Sequence, residues 1–258
     1  MRALVAAACL ALGACAGGAV GGVWAVAPDA VSASSPHITA AVSDPRRPEA
    51  DTARDALRHP ADILAFAGVR PGWRIADVGP GGGYYTRLFS VAVGESGRVV
   101  AIDRPNPAPD RPRPVLAVAE QYPNISVLQD GYQGWTAPEP LDAVFISQIY
   151  HDFFYPQLNI DVAALNRQIF EALKPGGVYV IIDHAAPAGS SIDTNPQTSL
   201  HRIDQAQVVR EVTSAGFVLE AESEVLRNPA DDRALRVFEG DIRGHTDQFA
   251  LRFRKPAN

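Results

Sequence analysis

A run of glycines set between a strand pattern and a helix pattern constrains this chain more than any other feature. The segment is Ile75-Ala76-Asp77-Val78-Gly79-Pro80-Gly81-Gly82-Gly83-Tyr84-Tyr85. Trp73–Val78 reads as a buried strand, and Tyr84–Val93 as a helix that stops at Gly94. A glycine loop in that position is a ligand-binding turn, because Gly79, Gly81 and Gly83 let the backbone turn tightly and approach a ligand with no Cβ in the way. Asp77, at the strand end, is placed to accept hydrogen bonds from a cationic or hydroxylated ligand. Dinucleotide-binding domains share such a loop, so the loop alone leaves the ligand open.

The rest of the chain alternates strands and helices. Glu49–Gly68 has a helical pattern broken by Pro60, and Val69-Arg70-Pro71-Gly72 makes a turn into the first strand. Arg98–Asp103 is the next strand. A proline-rich loop, Arg104–Pro114, leads to a short helix over Val115–Gln121. Strands follow over Ile125–Gln129 and Leu141–Ser147, then a helix over Ile160–Leu173 that Lys174-Pro175-Gly176-Gly177 ends. Val178–Asp183 is a strand and Ile203–Ala215 a helix. Two late strands, near Phe217–Leu226 and Gln248–Arg254, are expected to pair as an antiparallel hairpin at one end of the sheet. Apolar strands alternating with helices imply an α/β, Rossmann-like, doubly wound and mostly parallel sheet of seven strands. At 258 residues one such domain accounts for the chain.

Two further acids fall on the same expected sheet edge. Asp103 ends the second strand, where the acid that grips ribose hydroxyls is expected. Asp130 ends the third, where a carboxylate could reach an adenine amino group. With these, the chain from about Pro60 to Pro256 resembles a class I S-adenosylmethionine (SAM)-dependent methyltransferase. Asp77–Gly83 has the Asp-x-Gly-x-Gly-x-Gly form of that superfamily's first motif, and this spacing disfavours a nicotinamide-dependent dehydrogenase. Val99-Val100-Ala101-Ile102-Asp103 matches the second motif, and Leu141–Ser147 is similar to the fourth strand. Leu173-Lys174-Pro175-Gly176-Gly177 resembles the family's helix-to-strand turn. Within the superfamily the chain is similar to exported, poorly characterised bacterial methyltransferase-like proteins, in which Pro80–Tyr85 and Leu200-His201-Arg202-Ile203-Asp204 recur. The resemblance implies SAM as cofactor. Asp77, Gly79, Pro80, Gly81, Gly82 and Gly83 would face its methionine part, Asp103 its ribose and Asp130 its adenine.

The reaction side departs from the amide methyltransferases. Where those carry Asn-Pro-Pro-Tyr after the fourth strand, this chain has Ser147-Gln148-Ile149-Tyr150-His151-Asp152. His151 and Asp152, with His184 beyond the fifth strand and His201 at the start of the following helix, are the candidate catalytic residues. A histidine suits base catalysis near neutral pH, and a carboxylate can orient it. A divalent metal on His184, His201 and Asp152 is chemically conceivable, but the spacing matches no standard motif, so no metal is assigned. Tyr84, Tyr85, Phe153, Phe154 and Tyr155 are candidates to wall the pocket or simply to pack.

Residues 1–27 read as an export signal: Arg2, an apolar stretch Ala3–Leu12, then small residues. Leu12-Gly13-Ala14-Cys15 resembles a lipobox, with Cys15 as the lipidated terminus and the sole membrane attachment. Simple cleavage near Ala33 and an uncleaved anchor stay open. Residues 28–48, rich in Ala, Ser and Pro, read as a linker, and 49–258 as the methyltransferase domain. Periplasmic or membrane-attached localisation follows. Both cysteines lie in this leader, which excludes disulfides and cysteine nucleophiles from the domain. A formal charge of −6 with no basic run argues against nucleic acid as acceptor and leaves a small or envelope-associated molecule. An exported protein reusing the SAM fold for other chemistry or ligand binding, with a histidine-based metal site, is the alternative.

Overall fold

The computed structural model describes residues 30–105, 108 and 110–257. The leader and Cys15 therefore lie outside the described residues. Among the described residues no helix is long and apolar enough to cross a membrane.

Among the described residues there are eight α-helices and seven strands. The helices are α1 (Pro36–Val42), α2 (Glu49–Thr52), α3 (Asp55–Arg58), α4 (Pro60–Ala67), α5 (Tyr84–Val93), α6 (Pro114–Gln121), α7 (Val162–Ala172) and α8 (Gln205–Ser214). The strands are β1 (Arg74–Val78), β2 (Arg98–Ile102), β3 (Ile125–Leu128), β4 (Leu141–Ser147), β5 (Leu173–His184), β6 (Val218–Ser223) and β7 (Gln248–Arg254). Along the chain the elements run in the order α1–α4, β1, α5, β2, α6, β3, β4, α7, β5, α8, β6, β7. The strands form one sheet in the order β3-β2-β1-β4-β5-β7-β6. The first five are parallel, and β7 runs antiparallel between β5 and β6. The two late strands do pair, although residues 224–247 join them instead of a tight turn.

Side chains alternate between the faces of each strand. Ile75, Val99, Phe145 and Val180 face one apolar layer, completed by α1, α4, α5 and α6. Ala76, Val100, Val144 and Ile181 face the other, completed by α7 and α8. Burial on both sides is why these strands are apolar throughout.

Residues 31–48 correct the linker reading. Pro36–Val42 is helical, with Pro36 at the first turn and Ile38 and Ala41 buried against the α5 side of the sheet. Arg47, its side chain wholly buried, forks onto Asp55 at 2.8 and 2.6 Å, and Tyr84 donates to the same carboxylate at 2.6 Å. The segment is short of apolar residues, so composition hid a helix that Ile38 and Ala41, with a hydrogen bond from His37 to the Val69 carbonyl at 2.9 Å, hold in place. The helical pattern over 49–68 also resolves into three pieces. Pro60 starts α4, and His59 before it lies in the left-handed region at φ 43°.

Candidate active site

The sheet topology reverses beside β1, between β2 and β4, and the candidate residues gather at the carboxyl ends of these strands. Gly79, Gly81 and Gly83 adopt φ of 75°, 54° and 80°, conformations that side-chain-bearing residues resist. A Cβ on Gly79 would stand 1.9 Å from Ile149 Cδ1, and one on Gly83 would stand 2.8 Å from Val118. Gly81 and Gly82 instead face open space, with no atom within 4 Å of where a Cβ would be. The loop is thus packed from behind at its two ends and bare on its crest, where Pro80 makes the turn.

Asp77 lies beneath this loop, buried, and accepts from Thr86 Oγ1 of α5 at 2.6 Å. Burial pushes its carboxyl up to about 7. Thr86 pulls against that shift, and the nearby charge of Asp103 adds to it. Asp103 is 1% exposed, and the Arg113 guanidinium forks across both its oxygens while the Arg104 N–H donates to one of them. A ribose hydroxyl there meets a carboxylate already gripped by arginine. Asp130 sits two residues past the end of β3 and is exposed. Its expected place as the last residue of the strand is corrected, since pairing stops at Leu128.

Three of the four candidate catalytic residues come together. His151 opens a short 3₁₀ turn, two residues after Ile149 leans on Gly79, so this cluster adjoins the glycine loop. Its Nδ1–H donates to Asp183 at 2.8 Å, and its backbone N–H donates to the other oxygen at 2.8 Å. Its Nε2 lies 3.1 Å from Asp152 Oδ1, and His201 Nδ1 lies 3.4 Å from the same oxygen. Burial works against a charge on His151, but Asp183 and Asp152 outweigh it and hold the ring up at about 10. His151 is therefore a fixed cation near neutral pH and not a base. His201 is lowered, by burial and then by the charge of His151, so it is the uncharged ring of the pair.

His201 does not begin a helix. It sits in the preceding loop at φ 56°, since Asp204 caps α8 three residues later. Arg202 anchors that loop through a buried ion pair with Asp231, at 2.7 and 3.1 Å. His184 stays apart, its ring centre 6.0 Å from that of His151 and its Nδ1 2.7 Å from Thr246 Oγ1. Burial pushes it down to about 4, against the pull of Asp183.

Sequence reasoning missed Asp183, the hub of this site. It ends the fifth strand just as Asp77 and Asp103 close theirs, and that position was the available signal. Arg113, Arg58 and Gln148 were missed as well. Gln148, at φ 61°, accepts from Arg58 at 2.6 Å and donates to Gln248 at 2.9 Å. Nothing in the local sequence announces either contact.

A strand–glycine loop–helix unit with acids at the ends of β1 and β2 points to one family, and comparison with known proteins agrees. Residues 49–213 match the family described as protein-L-isoaspartate(D-aspartate) O-methyltransferase. The chain belongs to that family. The family is one of O-methyltransferases. A protein-L-isoaspartate O-methyltransferase from Methanococcus maripaludis is 31% identical over 124 residues, 48% of this chain and 50% of the relative. A ubiquinone/menaquinone biosynthesis C-methyltransferase, UbiE, from Vibrio cholerae is 28% identical over 72% of this chain and 63% of its own length. The chain thus spans about half the length of the isoaspartate relatives it matches. A SAM-dependent methyltransferase from Aquifex aeolicus superposes with a TM-score of 0.56 at 19% identity, covering 79% of this chain and 93% of that one, and shares the fold.

Proposed function

We propose that this chain transfers the methyl group of SAM to a small or envelope-associated acceptor at the edge formed by Gly79–Gly83, Asp77, Asp103 and the His151–Asp152–His201 cluster. The observation that carries this reading is the bare crest at Gly81–Gly82, left-handed at Gly81 and flanked by buried carboxylates at the ends of two adjacent parallel strands. SAM supplies an activated methyl on a sulfonium, so the protein's work is alignment and, where needed, removal of the acceptor's proton. Gly81 and Gly82 let the backbone approach the cofactor. Asp103 keeps one lone pair of Oδ2 free beside Arg113 for a ribose hydroxyl. His201, uncharged and next to Asp152, is the ring placed to take a proton. Arg58 has only Gln148 and the faces of Tyr84 and Tyr85 as partners among the described contacts, and is placed to receive a carboxylate.

The relatives' names give a protein isoaspartate in one case and ubiquinone/menaquinone biosynthesis in the other. The acceptor proposed here rests on this chain's own edge and leader. Calorimetric titration of SAM, its demethylated product and NAD into the full chain tests the reading. SAM and its product should bind in the micromolar range, NAD should not, and Asp103→Ala should abolish both heats. Absence of binding by folded protein would overturn it.

The site of action proposed is outside the cytoplasm, on the strength of Arg2, Ala3–Leu12 and Leu12-Gly13-Ala14-Cys15. Fractionation of cells expressing the chain should find it with the envelope. Cys15→Ser should release it from the membrane if Cys15 is lipidated, and a wholly cytoplasmic protein refutes export.

A further inference from the structure

Asp152 Oδ1 is buried, yet no hydrogen bond reaches it. It has two nitrogen neighbours, His151 Nε2 at 3.1 Å and His201 Nδ1 at 3.4 Å, but neither ring directs an N–H at it well enough to bond. The charge of the His151 ring balances this carboxylate, yet the buried oxygen has no donor of its own, and an ion seated between the two rings would complete it. The three donor atoms all lie within 4.8 Å of one another. Groups bound at about 2.0–2.2 Å around one ion stand roughly 3–4 Å apart, the separation of each ring nitrogen from Asp152 Oδ1, so a small inward shift of the two rings would seat one ion.

The surroundings prepare the ligands. Asp183 takes the Nδ1–H of His151, so Nε2, 3.1 Å from Asp152 Oδ1, is the nitrogen that a metal would claim in place of its proton. This is the carboxylate–histidine arrangement that orients metal-bound imidazole. His201 is fixed by its left-handed backbone, by its N–H donating to Ser199 Oγ at 3.0 Å, and by the Arg202–Asp231 anchor next to it. The Tyr155 hydroxyl lies 3.1 Å from His201 Nδ1 and borders the remaining coordination space.

We propose that His151, Asp152 and His201 form a binding site for one divalent transition ion, with Zn²⁺ the best match. Two imidazoles and one carboxylate suit a borderline ion, whereas Mg²⁺ and Ca²⁺ favour all-oxygen sets. On loading, the proton on His151 Nε2 leaves to solvent, and the His201 proton moves from Nδ1 to Nε2. Arg236, 3.4 Å from His201 Nε2, then turns to its other acceptors, the Pro196 and Gln197 carbonyls, each at 3.3 Å. His184, conceivable as a ligand from sequence, stands outside this group with its Nδ1 on Thr246 Oγ1. Three protein ligands leave a position where an oxygen or sulfur of the acceptor would bind. That use rests on the methyl-transfer reading, and the binding itself does not.

The test is titration of chelator-treated full chain with Co²⁺ and Zn²⁺, read by visible cobalt absorption and by calorimetry, with no SAM present. One equivalent of Co²⁺ should give the strong absorption of a low-coordinate ion, and Zn²⁺ should bleach it. Asp152→Asn and His201→Ala should each weaken binding at least tenfold, while exposed His245→Ala should leave it unchanged. Asp152→Asn is isosteric, so it keeps the test valid if His201→Ala unfolds, and circular dichroism checks both. No binding by folded protein at millimolar metal overturns the site. So does equal binding by all variants, or Mg²⁺ binding as tight as Co²⁺. SAM binding without metal binding sinks this inference alone, and metal binding without SAM binding sinks the methyl-transfer reading alone.

Discussion

Asp183→Asn should cost the folded chain about 3–5 kcal/mol, the range for removing one partner of a buried ion pair. Asp183 is fully buried and receives three N–H groups: His151 N, His151 Nδ1 and His184 N, at 2.8, 2.8 and 2.7 Å. An amide in the same space can accept on one side only. Its NH₂ must then face an N–H, and the charged His151 ring loses its main counter-ion. For a domain of this size the midpoint of thermal unfolding should fall by roughly 10 °C. Denaturant titration should show a lower midpoint with unchanged slope. A loss below about 1 kcal/mol would mean that the His151–Asp183 pair is no structural hub.

Asp77→Asn should act in the opposite direction on stability while removing cofactor affinity. Asp77 ionises at about 7 in the fold because it is buried. In the unfolded chain an aspartate ionises near 3.9. As pH rises from about 4 to 7 the unfolded state ionises first, so this group progressively destabilises the fold, and above 7 the loss is constant at about 4 kcal/mol. The asparagine variant carries no such term and can still accept from Thr86. The difference in stability between variant and parent should be near zero at pH 4 and grow to a few kcal/mol by pH 8. SAM affinity should drop by roughly 10–100-fold, the worth of one charge-assisted hydrogen bond. A flat difference across this range would refute the buried-acid account. An unchanged SAM affinity would make Asp77 purely structural.

Both effects come from acids at strand ends, and this class of residue shows best what was legible. The order of strands and helices, the glycine loop and Asp77 and Asp103 could be read directly. Each is a local pattern: a period of two or 3.6, a turn that needs glycine, an acid closing an apolar run. Asp183 carries the same mark but was passed over, because its task is to hold His151, a residue 32 positions away. The α1 helix was invisible for a related reason. Its propensity is weak, and it exists because Ile38 and Ala41 find the α5 side of the sheet.

The sequence by itself determined the class of fold and the place of the cofactor loop, since both are written in local patterns of apolar spacing and turn residues. Only the tertiary structure decided the chemistry of the edge. It joined His151 and Asp152 to His201 and left His184 aside, made Asp183 a counter-ion and put Arg113 on Asp103. Those outcomes depend on which strand ends become neighbours and on how deeply each charge is buried, and both are set by long-range packing that local pattern does not encode.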